Sequence, residues 1–196
     1  MVAKYHQKGW SIKRYVRPSE RADKKVAVFD YDDTIFFTDV ALKLASKEAV
    51  NKELTRSQIK KLSPDIITKI FTLAGKKYYP AYRLNKLVLD KCKRYRSKGY
   101  DIIVLTTRWS TLRRYTLKTL VNNNIPFQSL VLDKNGSTDG AKFKIDYLKS
   151  LLSRYNEIIF FDNSIKFIRK VNALPSLKRV SLYLVNRTRI IKYRAG

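Results

Sequence analysis

Three acidic residues fall within four positions of the chain: Asp30, Asp32 and Asp33. They directly follow the apolar run 26–29, in a sequence that has only 16 Asp and Glu residues in total. Carboxylates this close repel one another unless a cation or a proton lies among them. Mg²⁺ prefers hard oxygen ligands of this kind. The cluster therefore predicts a magnesium site, and the alternative is a solvated turn that caps the next helix.

The elements around this cluster follow a regular order. Short apolar runs alternate with segments of helical period, which is typical of parallel strands joined by crossover helices. The predicted strands are residues 26–29, 102–105, 130–132, 158–161 and 180–185, and predicted helices lie at 110–121, 145–152 and 164–172. Most of these strands are continuously apolar, as expected of strands buried on both faces. The sequence thus predicts an α/β, Rossmann-like fold with a five-stranded, mostly parallel sheet and the aspartates at its carboxyl edge, where open α/β sheets bind ligands.

The interval between the first two predicted strands is longer than one crossover requires, which predicts a small helical insert at about residues 39–80. It has helical composition at 39–54 and a short helix that Thr55 can cap. A further helix is predicted to start at Ser63-Pro64-Asp65, with Pro at its first position, and to include the run 66–73. Because the insert follows the aspartate cluster directly, we hypothesise that it covers the site.

The crossover helix into the second strand is predicted at residues 81–98 and is ended by Gly99. Its predicted apolar face consists of Leu84, Leu87, Val88 and Cys92. The chain as a whole is predicted to be a basic N-terminal extension at 1–25 followed by one α/β domain at 26–196.

The segment Asp30-Tyr31-Asp32-Asp33-Thr34 after a buried strand resembles DxDxT, the first motif of the haloacid dehalogenase superfamily of phosphatases. Three more motifs of that superfamily match in order. Thr106 follows the second strand, Lys144 lies on the helix before the fourth strand, and Asp162 and Asn163 end that strand.

The resemblance implies a role for each matched residue. Asp30 is expected to be the nucleophile and Asp32 the general acid and base, while Thr106 and Lys144 bind the phosphoryl oxygens. Mg²⁺ is expected to be held by Asp30, Asp32 through its main-chain carbonyl, Asp162 and Asn163, although many relatives carry a second acid where Asn163 stands. Two alternatives stay open: Thr106 and Thr107 could merely cap a helix, and Lys142 could serve in place of Lys144.

The net charge points to a second property. The chain has 42 Lys and Arg residues and a formal net charge of +26, which makes a polyanion the expected partner. Tyrosines interleave with the basic residues and offer rings on which unpaired bases could stack, so RNA is favoured over DNA. The candidate nucleic-acid-binding residues are Lys13, Arg14, Arg17, Lys76, Lys77, Arg83, Arg94, Arg96, Arg108, Arg187 and Arg189.

The composition also excludes several classes of protein. A single cysteine, Cys92, and a single histidine, His6, exclude an internal disulfide, a zinc site made of Cys and His, and a Cys-His catalytic dyad. No stretch approaches the about 20 apolar residues that span a bilayer, so no membrane partner is expected. The predicted location is intracellular and cytoplasmic, and an organelle is the alternative because the N-terminus is basic.

Together these features predict a Mg²⁺-dependent phosphatase that acts on phosphorylated nucleic-acid ends or nucleotides. The resemblance includes a matching branch, the 3′-phosphatase domains of polynucleotide kinases and related RNA-repair proteins. The alternative is a non-catalytic, RNA-binding component of a ribonucleoprotein such as a ribosome, built on the same fold. A phosphatase of small metabolites is a third possibility.

Overall fold

The computed structural model describes residues 24–133 and 139–193. The strands are β1 (Lys25–Phe29), β2 (Phe36–Phe37), β3 (Arg83–Leu84), β4 (Asp101–Trp109), β5 (Ser129–Asp133), β6 (Glu157–Asp162), β7 (Val180–Val185) and β8 (Ile190–Lys192). The α-helices are α1 (Asp39–Val50), α2 (Arg56–Ile59), α3 (Pro64–Lys76), α4 (Lys86–Ser97), α5 (Arg113–Asn122), α6 (Gly140–Leu151) and α7 (Ile165–Asn172). Short 3₁₀ turns lie at Tyr79–Ala81, Ser110–Leu112 and Pro175–Leu177. None of the helices in the described ranges has both the length and the hydropathy that a bilayer crossing requires.

A six-stranded sheet in the order β5-β4-β1-β6-β7-β8 forms the centre of the molecule. β1 pairs in parallel with β4 and β6, and β7 extends the parallel arrangement beyond β6. β8 runs antiparallel to β7 at one edge. The predicted α/β fold with a mostly parallel sheet is therefore confirmed.

Helices cover both faces of this sheet. Ala27 and Phe29 of β1 pack on one face with α4 and α5, while Val26 and Val28 pack on the other face with α6 and α7. All four of these β1 side chains are 0% exposed. The period-2 alternation of strand side chains thus buries β1 completely and fixes the position of its carboxyl end, where Asp30 follows.

The helical insert, α1 to α3, has a small apolar core of its own, which includes Leu42, Ile59 and Ile70. The chain enters and leaves the insert through a two-stranded antiparallel ribbon in which β2 pairs with β3. The insert packs closely on the main domain at Gly75, where an added Cβ would lie 2.9 Å from a methyl group of Leu112. A larger residue at this close approach would therefore require the Leu112 side chain to shift.

The structure corrects the predicted strand count of five by adding β8 to the main sheet. β8 is a short edge strand, and its Ile191 is 40% exposed. A half-exposed edge strand lacks the continuous apolar run by which the other strands were predicted.

The prediction that the crossover helix begins at residue 81 is also wrong. The chain first pairs with β2, so α4 begins only at Lys86. Leu84 consequently lies in β3, and Leu87 is 40% exposed rather than part of an apolar helix face. The buried residues of α4 are Val88 and Cys92.

Candidate active site

Asp30 and Asp162 lie side by side at the carboxyl edge of the sheet. Asp30 directly follows β1, and Asp162 is the last residue of the neighbouring strand β6. The Asp30 amide donates a hydrogen bond of 2.9 Å to the carbonyl of Phe161, so the backbone pairing of β1 with β6 continues one residue past the end of β1. The two aspartates are only 5% and 1% exposed. Two carboxylates buried this closely need a cation between them.

Lys144 is that cation. Its Nζ donates hydrogen bonds to Asp30 Oδ1 at 2.7 Å and to Asp162 Oδ2 at 2.8 Å. The Lys144 side chain is 9% exposed. The structure therefore brings Asp30, Lys144 and Asp162 into contact, although they lie far apart in the sequence and belong to three different motifs.

The choice between Lys144 and Lys142 follows from the orientation of α6. The helix begins at Gly140 rather than at the predicted residue 145, because the Asp139 side chain caps it. Lys144 lies on the buried face of α6, whereas the Lys142 side chain is 72% exposed and pairs with Asp146 four residues later. Lys142 is thus excluded from the Asp30 site in this structure.

Burial and charge shift the acidity of this cluster. Burial raises the pKa of Asp30 above its ordinary value, the charges of Asp162 and Asp32 act in the same direction, and Lys144 opposes them. Burial alone would lower the pKa of Lys144, but the charges of Asp30 and Asp162 raise it instead. Lys144 therefore stays protonated at any physiological pH.

Asp32 has a different partner, Arg108. The guanidinium donates from Nε to Asp32 Oδ2 at 2.9 Å and from Nη2 to Oδ1 at 2.8 Å, which makes the pair bidentate. Arg108 Nη2 also donates to the Tyr82 hydroxyl at 2.8 Å, and the guanidinium carbon lies 4.2 Å from the ring centroid of Tyr31. Arg108 is thus held by one carboxylate and two aromatic side chains.

Arg108, which the sequence predicts to bind nucleic acid, is largely buried in this structure. Its side chain is only 8% exposed and its hydrogen bonds go to Asp32 and Tyr82. Burial alone would raise the pKa of Asp32, but the charge and hydrogen bonds of Arg108, together with the charges of Arg56 and Lys144, lower it. Asp32 therefore favours its ionised form.

The insert also contributes a residue to the site, which sequence reasoning missed. Arg56, the first residue of α2, lies with Nε 3.0 Å from Asp33 Oδ2 and with Nη2 3.8 Å from Asp32 Oδ1. Its Nη2 also donates to Thr38 Oγ1 at 2.6 Å. In the sequence, Arg56 is marked only by its position directly after the helix cap Thr55. That position does not indicate its contacts with Asp32 and Asp33, which lie on the other side of α1 in the chain.

The threonines near the site differ in exposure. Thr34 of the first motif donates to Asp30 Oδ2 at 3.2 Å. Thr106 is fully buried within β4, where its hydroxyl accepts a hydrogen bond of 3.2 Å from the amide of Arg108, so it does not cap a helix. Thr107 is exposed and borders the open space above Asp30 and Asp162.

An open cavity of about 450 Å³, which we call the phosphate cavity, lies over these groups. Asp30, Asp32, Lys144, Asp162 and Asn163 all contribute to its lining. Five of the six residues that sequence analysis assigned to catalysis or metal binding thus line one cavity, and the sixth, Thr106, is not part of its lining.

The charge and donor atoms of this site bear on whether it suits Mg²⁺. Within the described ranges, no group of three or more His, Cys, Asp and Glu side chains could hold a metal ion. Asp30 and Asp162, however, share the single charge of Lys144, so one negative charge is uncompensated when both carboxyl groups are ionised, and Asn163 adds an oxygen donor to the lining. Excess negative charge and hard oxygen donors fit a divalent cation that keeps several water ligands.

The remaining predicted nucleic-acid-binding residues fall into separate places. Arg83 lies in β3, and Arg187 and Arg189 lie in the turn between β7 and β8, all at the carboxyl edge of the sheet. Arg94 and Arg96 lie in the last turn of α4, which leads to the opposite edge. Lys76 and Lys77 end α3, where Lys77 pairs with Glu48 at 2.6 Å. Residues Lys13, Arg14 and Arg17 are outside the described ranges.

One family model matches the chain. It is described as PITM 1-3, LNS2 domain, and it matches residues 67–169. The matched segment contains Thr106, Lys144 and Asp162, and the first motif precedes it. A comparison with curated protein sequences gives no match.

Several solved structures share the fold. Protein Tyrosine Kinase A from Mycobacterium tuberculosis has a TM-score of 0.62 at 12% identity, covering 90% of this chain and 92% of its own. A haloacid dehalogenase-like hydrolase from Streptococcus pneumoniae has a TM-score of 0.56 at 11% identity, covering 81% and 83%. A chain of the Pnkp1/Rnl/Hen1 complex has a TM-score of 0.55 at 17% identity, covering 95% of this chain and 57% of its own. The predicted haloacid dehalogenase fold is thereby confirmed, and the comparisons support the prediction of a phosphomonoesterase.

Proposed function

We propose, since the chain belongs to the LNS2 domain family and has the haloacid dehalogenase fold, that it hydrolyses phosphate monoesters with Asp30 as its nucleophile. The substrates that we propose are phosphorylated nucleic-acid ends or nucleotides. The observation that carries the proposal is the buried Asp30-Lys144-Asp162 cluster, which lies in one cavity with Asp32.

Hydrolysis would proceed in two steps. In the first, an Asp30 carboxylate oxygen attacks phosphorus, the bond from phosphorus to the leaving oxygen breaks, and Asp32 transfers a proton to that oxygen. In the second, water attacks the aspartyl phosphate, Asp32 takes a proton from the water, and phosphate departs as Asp30 is restored. Lys144 offsets the charge on the phosphoryl oxygens. Because Arg108 lowers the pKa of Asp32, the first step uses the minor, protonated form of Asp32, whereas the second step uses its favoured, ionised form.

Mg²⁺ is part of this proposal. Asp30, the main-chain carbonyl of Asp32, Asp162 and Asn163 would hold the ion. When bound, it would neutralise the carboxylates and the phosphate as they approach each other.

The test of the proposed function is hydrolysis of an aryl phosphate and of a 3′-phosphorylated oligoribonucleotide, each with Mg²⁺ or with a chelator. We expect turnover of both in Mg²⁺, none with the chelator, and a higher kcat/KM for the oligonucleotide. Equal turnover with and without the chelator would contradict the role of Mg²⁺.

Arg108 acts in this scheme as a positioning residue for Asp32. We expect Arg108→Lys to lower kcat about 10- to 100-fold, because an ammonium cannot hold both Asp32 oxygens and the carboxylate then loses its orientation. Steady-state kinetics measures the effect. Arg113→Lys is the matched control, since Arg113 is exposed and donates to the Leu130 carbonyl. An unchanged kcat in Arg108→Lys would remove Arg108 from the scheme.

Two observations support a nucleic-acid substrate. The net charge of +26 exceeds what a single phosphate site needs. Several arginines lie at the same sheet edge as the candidate active site: Arg83, Arg187 and Arg189. Arg187 packs over Phe37 with its guanidinium carbon 5.0 Å from the ring centroid, and it pairs with Asp39. Bases and backbone phosphates could both bind there.

A charge-matched pair of variants tests this surface. We expect Arg83→Gln/Arg189→Gln to weaken binding of a single-stranded RNA and to reduce the slope of log K against log[salt] by about 0.7 for each phosphate that the protein no longer neutralises. Arg94→Gln/Arg96→Gln removes the same charge at the opposite edge of the sheet and is expected to have the smaller effect. Equal weakening in both variants would show that the charge attracts RNA without directing it to the site.

A non-catalytic RNA-binding role in a ribonucleoprotein is the second candidate function. The net charge favours it, and so does Asn163 at a position where many relatives of the superfamily carry a second acid. Salt-sensitive RNA binding together with no turnover of either phosphate ester would favour this role over catalysis.

A further inference from the structure

A second cavity of about 300 Å³, which we call the side cavity, adjoins the phosphate cavity between the helical insert and the end of β4. The two cavities share the side chains of Asp32, Arg56, Lys60 and Thr107 in their linings. The volume is at the lower end of the range for small-molecule sites, so the space suits one compact group rather than a long chain.

The side cavity is polar at the shared wall and apolar elsewhere. Asp32, Arg56 and Arg108 contribute charge, whereas the insert contributes Ile67 and Phe71 to the apolar lining. Tyr82, which directly precedes β3, and Trp109 and Leu112 of the main domain contribute further apolar and aromatic groups. Aromatic side chains from three separate segments of the chain, namely Phe71, Tyr82 and Trp109, therefore border one space.

Two of the three aromatic side chains in this lining, Tyr82 and Phe71, have partners within the structure. The Tyr82 hydroxyl donates to the Ala74 carbonyl at 2.9 Å and accepts from Arg108 at 2.8 Å, so this ring is held in place. The Arg56 guanidinium carbon lies 5.5 Å from the ring centroid of Phe71. Rigid rings bind a flat partner with little loss of conformational entropy.

The position of Asp32 shows which part of a substrate would enter. Under the proposed function, Asp30 attacks phosphorus and Asp32 gives a proton to the leaving oxygen, so the leaving group must lie on the Asp32 side of the phosphate. Asp32 lines both cavities, and the side cavity extends beyond it. The leaving group is therefore the part that the side cavity can hold.

We propose that the side cavity is a leaving-group subsite that stacks a nucleobase against Phe71, Tyr82 and Trp109, so that the substrate at the phosphate cavity is the phosphate of a nucleotide unit. This inference rests on the proposed function, because the roles of Asp30 and Asp32 decide on which side of the phosphate the leaving group lies. Binding of a base can nevertheless be measured separately from hydrolysis. Stacking on an aromatic side chain contributes measurably for any base, so the subsite selects a nucleotide without selecting its sequence.

The binding test uses Trp109 as its own probe. The full chain contains two tryptophans, Trp10 and Trp109, so Trp10→Phe leaves Trp109 as the sole tryptophan. In the Trp10→Phe/Asp30→Asn protein, we expect adenosine 3′- or 5′-monophosphate to quench tryptophan fluorescence saturably and glycerol 3-phosphate not to quench it. Equal responses to adenosine monophosphate and glycerol 3-phosphate would overturn the proposal.

The kinetic test compares the kcat/KM of the preferred adenosine monophosphate with that of glycerol 3-phosphate. We expect Trp109→Leu and Phe71→Leu each to reduce this preference about ten-fold, and Tyr115→Leu, a partly buried aromatic outside the side cavity, to preserve it. A wild-type preference for octyl phosphate over adenosine monophosphate would assign the cavity to an alkyl chain and overturn the proposal.

The two proposals fail in different ways. Quenching of Trp109 by adenosine monophosphate without hydrolysis of any ester would refute the proposed function and leave the subsite standing. Hydrolysis of adenosine monophosphate and glycerol 3-phosphate at equal kcat/KM, with no change in Trp109 fluorescence, would refute the subsite and leave the proposed function standing.

Discussion

Replacing Asp30 by Asn is expected to abolish phosphate ester hydrolysis, with kcat falling about 10⁴-fold or more, because the amide cannot form the covalent aspartyl phosphate. The side chain keeps its size and its place beside Thr34 and Lys144, so the fold should be retained. The measurement is the initial rate of aryl phosphate hydrolysis in Mg²⁺, with the melting temperature recorded on the same samples.

Asp65→Asn is the matched control for this prediction. Asp65 is exposed in the first turn of α3, so the same chemical change there should leave kcat within about two-fold of wild type. A folded Asp30→Asn protein that retains wild-type turnover would show that hydrolysis uses another nucleophile.

The second large effect is expected at Lys144. Lys144→Ala leaves Asp30 and Asp162 buried without their common cation, and removal of one partner from a buried ion pair typically costs about 3–5 kcal/mol of the free energy of unfolding. The midpoint and slope of urea denaturation measure this destabilisation. Adding Asp162→Asn to Lys144→Ala should recover part of it, because one of the two unpaired charges is then removed.

Lys142→Ala provides the control, since it deletes the same kind of side chain from the same helix. The Lys142 side chain is 72% exposed in its pair with Asp146, so we expect almost no change in the free energy of unfolding. Comparable destabilisation by Lys142→Ala and Lys144→Ala would contradict the buried cluster.

The main sheet was predictable because its signal is local. The strands β1, β4 and β6 each contain a continuous apolar run, at 26–29, 102–105 and 158–161, so each is visible without knowledge of its partner. The ribbon of β2 and β3 was not predictable. Each of these strands has only two residues, which is too short to show an alternation of apolar and polar side chains, and each pairs with a segment far away in the sequence. The same ribbon explains the error at the start of α4.

The candidate site was predictable to a similar degree. Motif order placed Asp30, Lys144 and Asp162 at one sheet edge, and the buried face of α6 then selected Lys144 over Lys142. That face has a sequence signal, since Ile145 and Leu148 are adjacent to Lys144 in the helical period. The bidentate pair of Asp32 and Arg108 left no such signal, because it joins residues 76 positions apart.

The ribbon of β2 and β3 has a consequence for how this chain can change. Phe36 pairs with Leu84 and Phe37 with Arg83, so the insert begins and ends at adjacent points. A segment whose ends already meet can be lengthened, shortened or exchanged at a small cost in loop-closure entropy, without any shift of the sheet that holds Asp30. The hydrolytic groups Asp30, Lys144 and Asp162 lie outside this exchangeable segment, whereas Arg56 and Phe71 lie within it. Grafting a different helical segment in place of residues 38–81 should therefore redirect substrate choice while Asp30, Lys144 and Asp162 keep their positions.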